Sequence, residues 1–119
     1  MRRLLPALLA AASFGGTAPA EAKAPPARVQ VAASEFNLAL SRASISSGRA
    51  LVELANYGED PHNLRMQRIG GTRVYALGVV EPGDANVLSA KLLPGRFKLW
   101  CSIADHRARG MSATLTVRR

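Results

Sequence analysis

Arg96-Phe97-Lys98-Leu99-Trp100-Cys101-Ser102-Ile103-Ala104-Asp105-His106-Arg107-Ala108-Arg109-Gly110-Met111-Ser112-Ala113-Thr114-Leu115-Thr116-Val117 is the stretch whose reading decides the fold. Successive side chains of a strand point to opposite faces. Phe97, Leu99 and Cys101 therefore share one face, and Arg96, Lys98 and Trp100 share the other. After the loop, Ala113, Leu115 and Val117 again oppose Thr114, Thr116 and Arg118. Two half-buried strands thus flank a loop that carries the only cysteine of the chain, one of its two histidines and one of its three methionines. The thiol of Cys101 is aimed with Phe97 and Leu99 into one end of a core. Gly110 allows the sharp turn that brings Met111 back toward it.

The same period of two recurs upstream. Val29, Val31 and Ala33 alternate, then Phe36, Leu38 and Leu40, then Ala50, Val52 and Leu54 up to Asn56-Tyr57-Gly58. His62 opens a run in which Leu64 and Met66 share a face, Val74 to Val80 is a weaker strand, and Leu88, Ala90 and Leu92 alternate up to Leu93-Pro94-Gly95. Turn residues separate the runs at Ser46-Ser47-Gly48, Ile69-Gly70-Gly71 and Glu81-Pro82-Gly83-Asp84. Short alternating runs at such intervals, with no segment of helical period, predict an all-β sandwich of seven or eight strands.

Arg2 and Arg3, the apolar stretch Leu4 to Ala12 and Ala18-Pro19-Ala20 have the form of a signal peptide over residues 1–20, with cleavage after Ala20. The apolar run is shorter than the roughly 20 residues a membrane-spanning helix needs. Residues 21–27 form a Pro/Ala-rich lead-in, and residues 28–119 are left as a single domain of a periplasmic or otherwise exported chain. A single cysteine makes no internal disulfide, and a free thiol in an oxidising compartment is a liability unless it is buried or metal-bound. Without Arg2 and Arg3 the formal charge falls from +8 to +6. The cations are scattered rather than striped with aromatics, which argues against nucleic acid and for an acidic protein partner or an anionic membrane surface.

Thiolate, two imidazoles and a thioether are the donor set of a mononuclear electron-transfer copper site, a His₂Cys plane with a weak axial Met. Cys101, His106 and Met111 come from one loop, and His62 arrives from a distant strand end. Each residue has an ordinary reading alone. A lone Cys is usually an inert core residue, Met111 core filling, and His62 and His106 surface loop histidines. Met66, the competing thioether, shares a face with Leu64 and is read as core.

The stretch Phe97 to Val117, together with Asp60-Pro61-His62-Asn63-Leu64, resembles the cupredoxins, the plastocyanin/azurin family of type 1 blue copper proteins. The similarity covers about the last 90 residues. It implies a Greek-key β-sandwich with one copper at its loop-rich end, held by His62, Cys101, His106 and Met111. It implies that Asn63 ties the two ligand loops together near the thiolate. It also implies an electron port at the ring edge of His106, framed by Ile103, Ala104 and Ala108. Arg107 and Arg109 flank that port and are expected to steer a redox protein with an acidic docking patch onto a monomeric carrier.

An envelope copper carrier or sensor could share all four ligands without moving electrons. An enzyme of the multicopper oxidase or nitrite reductase kind needs further His-rich centres, and this chain has two histidines. An exported adhesion or scaffold domain with an incidental thiol is the remaining reading. The expectation is a non-enzymatic carrier of single electrons.

Overall fold

A computed structural model describes residues 3, 4, 15 and 24–119. Apart from residues 3, 4 and 15, the expected signal peptide, like its cleavage point after Ala20, lies outside the described residues. The described chain forms β1 (Ala27–Ser34), β2 (Asn37–Leu40), β3 (Ser44–Ser46), β4 (Gly48–Asn56), β5 (His62–Arg68), β6 (Val74–Val80), β7 (Ala85–Leu92), β8 (Gly95–Trp100) and β9 (Ser112–Arg118). Two sheets result, ordered β2-β1-β4-β7 and β3-β9-β8-β5-β6. Both are mixed, because β1 runs parallel to β4 and β3 parallel to β9.

The alternation seen in sequence is the packing seen in space. Val29, Val31 and Ala33 of β1 and Ala50, Val52 and Leu54 of β4 meet Leu64 and Met66 of β5, Phe97 and Leu99 of β8, and Leu115 and Val117 of β9 in one continuous core. Core and strands all fall between residues 27 and 118, so this stretch carries its own hydrophobic interior. Removal of a large aliphatic side chain from such a core costs about 2–5 kcal/mol.

Among the described residues there are nine strands rather than seven or eight, and the difference is β3. It has only three residues, too few for a period to show, and it exists because Ile45 drops into the core beside Val117. Phe36 does not belong to the second strand, which begins at Asn37. β6 alternates poorly for a visible reason. His62 pairs with Val80 and Leu64 with Leu77, so three steps on β6 oppose two on β5. This bulge puts Leu77 and Val80 in the core and leaves Val79 exposed.

The strand ends place the chemistry. The end of β4, the start of β5, the end of β8 and the start of β9 all lie at one end of the sandwich. His62 opens β5, while Cys101 and Met111 immediately follow β8 and precede β9.

Candidate metal centre

At that end the side chains of His62, Cys101 and His106 converge, with one donor atom from each lying within 4.8 Å of the others. The Cys101 Sγ is 3.7 Å from His106 Nδ1 and 4.0 Å from His62 Nδ1. A metal with bonds of about 2.0–2.1 Å to nitrogen and 2.3 Å to sulfur sets N···S separations of about 3.6–3.8 Å in trigonal or tetrahedral geometry. Both S···N separations lie within a few tenths of an ångström of that range, so the three donors face one common point. All three residues are buried, and so is Met111.

The loop side of this triangle is built from consecutive turns. His106 N donates to Ile103 O, Gly110 N to Arg107 O and Met111 N to His106 O. Cys101 N then donates to Met111 O at 3.1 Å and closes the base of the loop. Gly110 has φ +127°, and a Cβ there would stand 2.9 Å from the Phe36 carbonyl oxygen. The glycine is needed both for its torsion and for the close approach. Met111 is thereby held beside Cys101 and His106 through its backbone, with its side chain in the core.

The His62 side is built differently, by side chains from remote strands. Asn56, buried, donates to Asp60 O at 2.8 Å and Val80 O at 2.9 Å and accepts from Gly58 N, which shapes the loop leading into β5. Glu35, in the turn between β1 and β2, reaches across that loop. Its Oε1 accepts from Glu59 N (2.9 Å), Asp60 N (2.7 Å) and His62 Nε2 (3.0 Å). An ionised carboxylate only accepts, so His62 carries its proton on Nε2 and turns the Nδ1 lone pair toward Cys101. The Asp60 N–H foremost, with the His62 ring and the Glu59 N–H, holds the Glu35 carboxyl at about 2, below the usual 4.5, against the opposing pull of burial.

Asn63 joins the two sides. Its amide donates to Ser102 Oγ and accepts from Ser102 N, both at 2.8 Å, so the residue after His62 is clasped to the residue after Cys101. Phe36 covers the site from the β1–β2 turn, its ring 5.0 Å from that of His106. Sequence reasoning gave no role to Glu35 or Asn56 and placed Phe36 on a strand. No local pattern marks them, because Glu35 meets His62 across 27 residues of chain.

His106 is 8 % exposed, with Arg107 and Arg109 on the loop around it. Arg107 lies over the Trp100 ring, whereas Arg109 lies over Phe36 and pairs with Asp105 at 2.7 Å. That hydrogen bond and the Arg109 charge lower the Asp105 carboxyl. Glu35, Glu59, Asp60, Glu81, Asp84 and Asp105 all sit in turns and loops at this end. The rim of the site is therefore of mixed charge rather than basic.

No protein-family model matches the sequence, and no curated protein matches it closely. Solved structures do match. Reduced auracyanin from Roseiflexus castenholzii superposes with TM-score 0.62 over 77 % of this chain and 97 % of that one, at 19 % identity. The chain has the cupredoxin fold. Auracyanin A from Chloroflexus aurantiacus, a blue copper protein, superposes with TM-score 0.63 over 79 % of this chain and 100 % of that one, at 10 % identity. A purple cupredoxin from Nitrosopumilus maritimus superposes with TM-score 0.54 over 76 % and 98 %, at 19 % identity. Identities this low establish the cupredoxin fold, while the donor triangle comes from this chain's own side chains.

Proposed function

We propose that the chain binds one copper ion through His62 Nδ1, His106 Nδ1 and the Cys101 thiolate, with the Met111 thioether as a weak fourth donor, and that it carries single electrons between redox proteins. The observation that carries this reading is the buried triangle of two imidazoles and one thiol at the loop-rich end of a cupredoxin fold. Structural zinc sites take four strong donors. Three strong donors backed by a thioether suit copper better, because thiolate and thioether favour Cu(I) while imidazole serves both oxidation states.

Bound copper supplies a one-electron couple, Cu(I)/Cu(II). The protein fixes the donors so that little has to move when charge changes. Glu35 fixes the tautomer and ring plane of His62. Asn63 and the Cys101–Met111 hydrogen bond hold the loop. The apolar walls exclude water from the thiolate. His106, the ligand nearest solvent, is the port through which a partner reaches the site.

Arg107 and Arg109 are the cations closest to this port in sequence, and we assign them the steering of a partner with an acidic docking patch. The Asp105 ion pair leaves Arg107 the stronger contributor. The surrounding carboxylates require that patch to be small. We further propose that the chain is exported by a cleaved signal peptide over residues 1–20 and works as a monomer, with the copper domain over residues 28–119.

A carrier that only transports copper is the competing reading. Burial of His62 and Cys101, with His62 held by Glu35 and the residue after Cys101 clasped by Asn63, favours retention of the ion over its transfer. One similar structure is a multicopper oxidase, of which this chain spans 41 %. The two histidines here are both spent on one centre, which leaves none for a second.

Voltammetry of the copper-loaded protein beside a competition with a Cu(I) chelator separates the readings. A reversible one-electron wave with slow loss of metal is expected. An irreversible wave with copper surrendered within the mixing time identifies a copper carrier instead.

A further inference from the structure

The charge of this molecule is divided along the strand axis. The carboxylates of the loops crowd the donor end, and the remaining described one, Glu53, lies mid-strand in β4. The opposite end gathers Arg49 at the start of β4, Arg68 at the end of β5, Arg73 before β6, Lys91 at the end of β7, Arg96 at the start of β8 and Arg118 at the end of β9. The register confirms a common level, with Arg49 opposite Lys91, Arg68 opposite Phe97 and Gly95 opposite Val117. Among the described residues, none of these six cations has a carboxylate partner within salt-bridge distance.

Large apolar side chains stand exposed among these cations. Leu93 is 67 % exposed in the β7–β8 turn, Ile69 48 % in the β5–β6 turn and Val74 46 % at the start of β6. The two turns are adjacent, because Ile69 N donates to Arg96 O and Arg68 Nε to Pro94 O. They border a common groove lined by Arg68, Arg73, Tyr75, Lys91 and Leu93. Arg73 lies over the Tyr75 ring at 4.7 Å. Cations ringing protruding aliphatic tips, with an aromatic at the boundary, are the composition of a surface that seats at the headgroup level of a bilayer. A purely acidic protein patch calls for the cations and leaves the aliphatic tips unexplained.

We propose that the end of the sandwich remote from the His62–Cys101–His106 triangle docks on an anionic phospholipid bilayer, its arginines among the headgroups and Leu93, Ile69 and Val74 at the acyl boundary. The geometry has a functional consequence. The strands stand between the two ends, so docking leaves His106 facing away from the membrane. β1 also begins at this end.

The test is vesicle co-sedimentation of the chain from residue 21 onward, which keeps every strand and core residue, without added metal. Vesicles of phosphatidylglycerol mixed with phosphatidylcholine are compared with pure phosphatidylcholine. Enrichment on the anionic vesicles that fades with salt is expected. Arg73→Gln with Arg96→Gln should weaken partitioning about fivefold for each charge removed. Arg73→Lys with Arg96→Lys should restore most of it, which separates charge from misfolding. Leu93→Ser should weaken binding without altering its salt dependence. Three outcomes overturn the proposal: equal binding to both vesicle types or to neither, wild-type binding by Leu93→Ser with full competition by soluble polyglutamate (an acidic protein partner instead), or a larger loss from Arg107→Gln with Arg109→Gln than from the remote pair.

Discussion

The two halves of the donor set are made in opposite ways. Cys101, His106 and Met111 belong to one eleven-residue loop whose own backbone hydrogen bonds hold it. His62 is positioned by Glu35, Asn56 and Asn63, which reach it or its loop from β1–β2, β4 and the Ser102 clasp. The loop half depends on backbone conformation, and the His62 half depends on side-chain hydrogen bonds between distant strands. Substitutions on the two sides should therefore fail differently.

The largest effect is expected from Cys101→Ser, which removes the thiolate that dominates Cu(I) binding. Copper affinity measured by chelator competition should collapse, while the melting temperature of the metal-free protein changes little. Next comes Glu35→Gln. Partners that orient metal-bound histidines are worth roughly 10–100-fold in affinity, and a loss in that range is expected with the fold intact. Nitrogen-detected NMR of the metal-free variant should show His62 losing its fixed Nε2–H tautomer. An unaltered tautomer and affinity contradict the orienting role of Glu35.

The same carboxylate sets a pH dependence with a definite sign. Its folded value, about 2, lies below the ordinary 4.5. Its contribution to stability is thus fully present above pH 4.5 and is lost as pH falls toward 2. Acid melts of Glu35→Gln should be flatter than wild type in that window. On the loop side, Gly110→Ala forces a side chain into positive φ against the Phe36 carbonyl and should cost about 1–3 kcal/mol of stability in chemical denaturation. A neutral result means the loop adapts more freely than its hydrogen bonds suggest.

The smallest effect belongs to the rim. Arg107→Glu with Arg109→Glu should slow electron exchange with an acidic partner severalfold and reduce its salt dependence, with Arg107 alone giving most of the change. Stopped-flow traces that are unmoved at low salt remove the steering role.

The same contrast explains what was legible in the sequence. Strand alternation and the Cys101–His106–Met111 spacing are local, so the sandwich and the loop half of the site could be read from consecutive residues. Four donors, His62, Cys101, His106 and Met111, are proposed from residue types, and the structure brings His62, Cys101 and His106 together and buries Met111. β3 was invisible because a three-residue strand has no period. β6 read weakly because its bulge breaks the alternation. Glu35 looked like an ordinary turn glutamate, since nothing near it in the chain announces a histidine 27 residues away. The end-to-end division of charge was hidden for the same reason. The cations are scattered along the sequence and gather only when the strand ends are aligned.

The central claim is that these side chains bind copper as a thiolate complex, and the visible absorption spectrum of the copper-loaded protein tests it most directly. An intense thiolate-to-copper charge-transfer band at one copper per chain is the predicted result. Copper bound with only the weak absorption of nitrogen and oxygen ligands, or no stoichiometric binding at all, contradicts it.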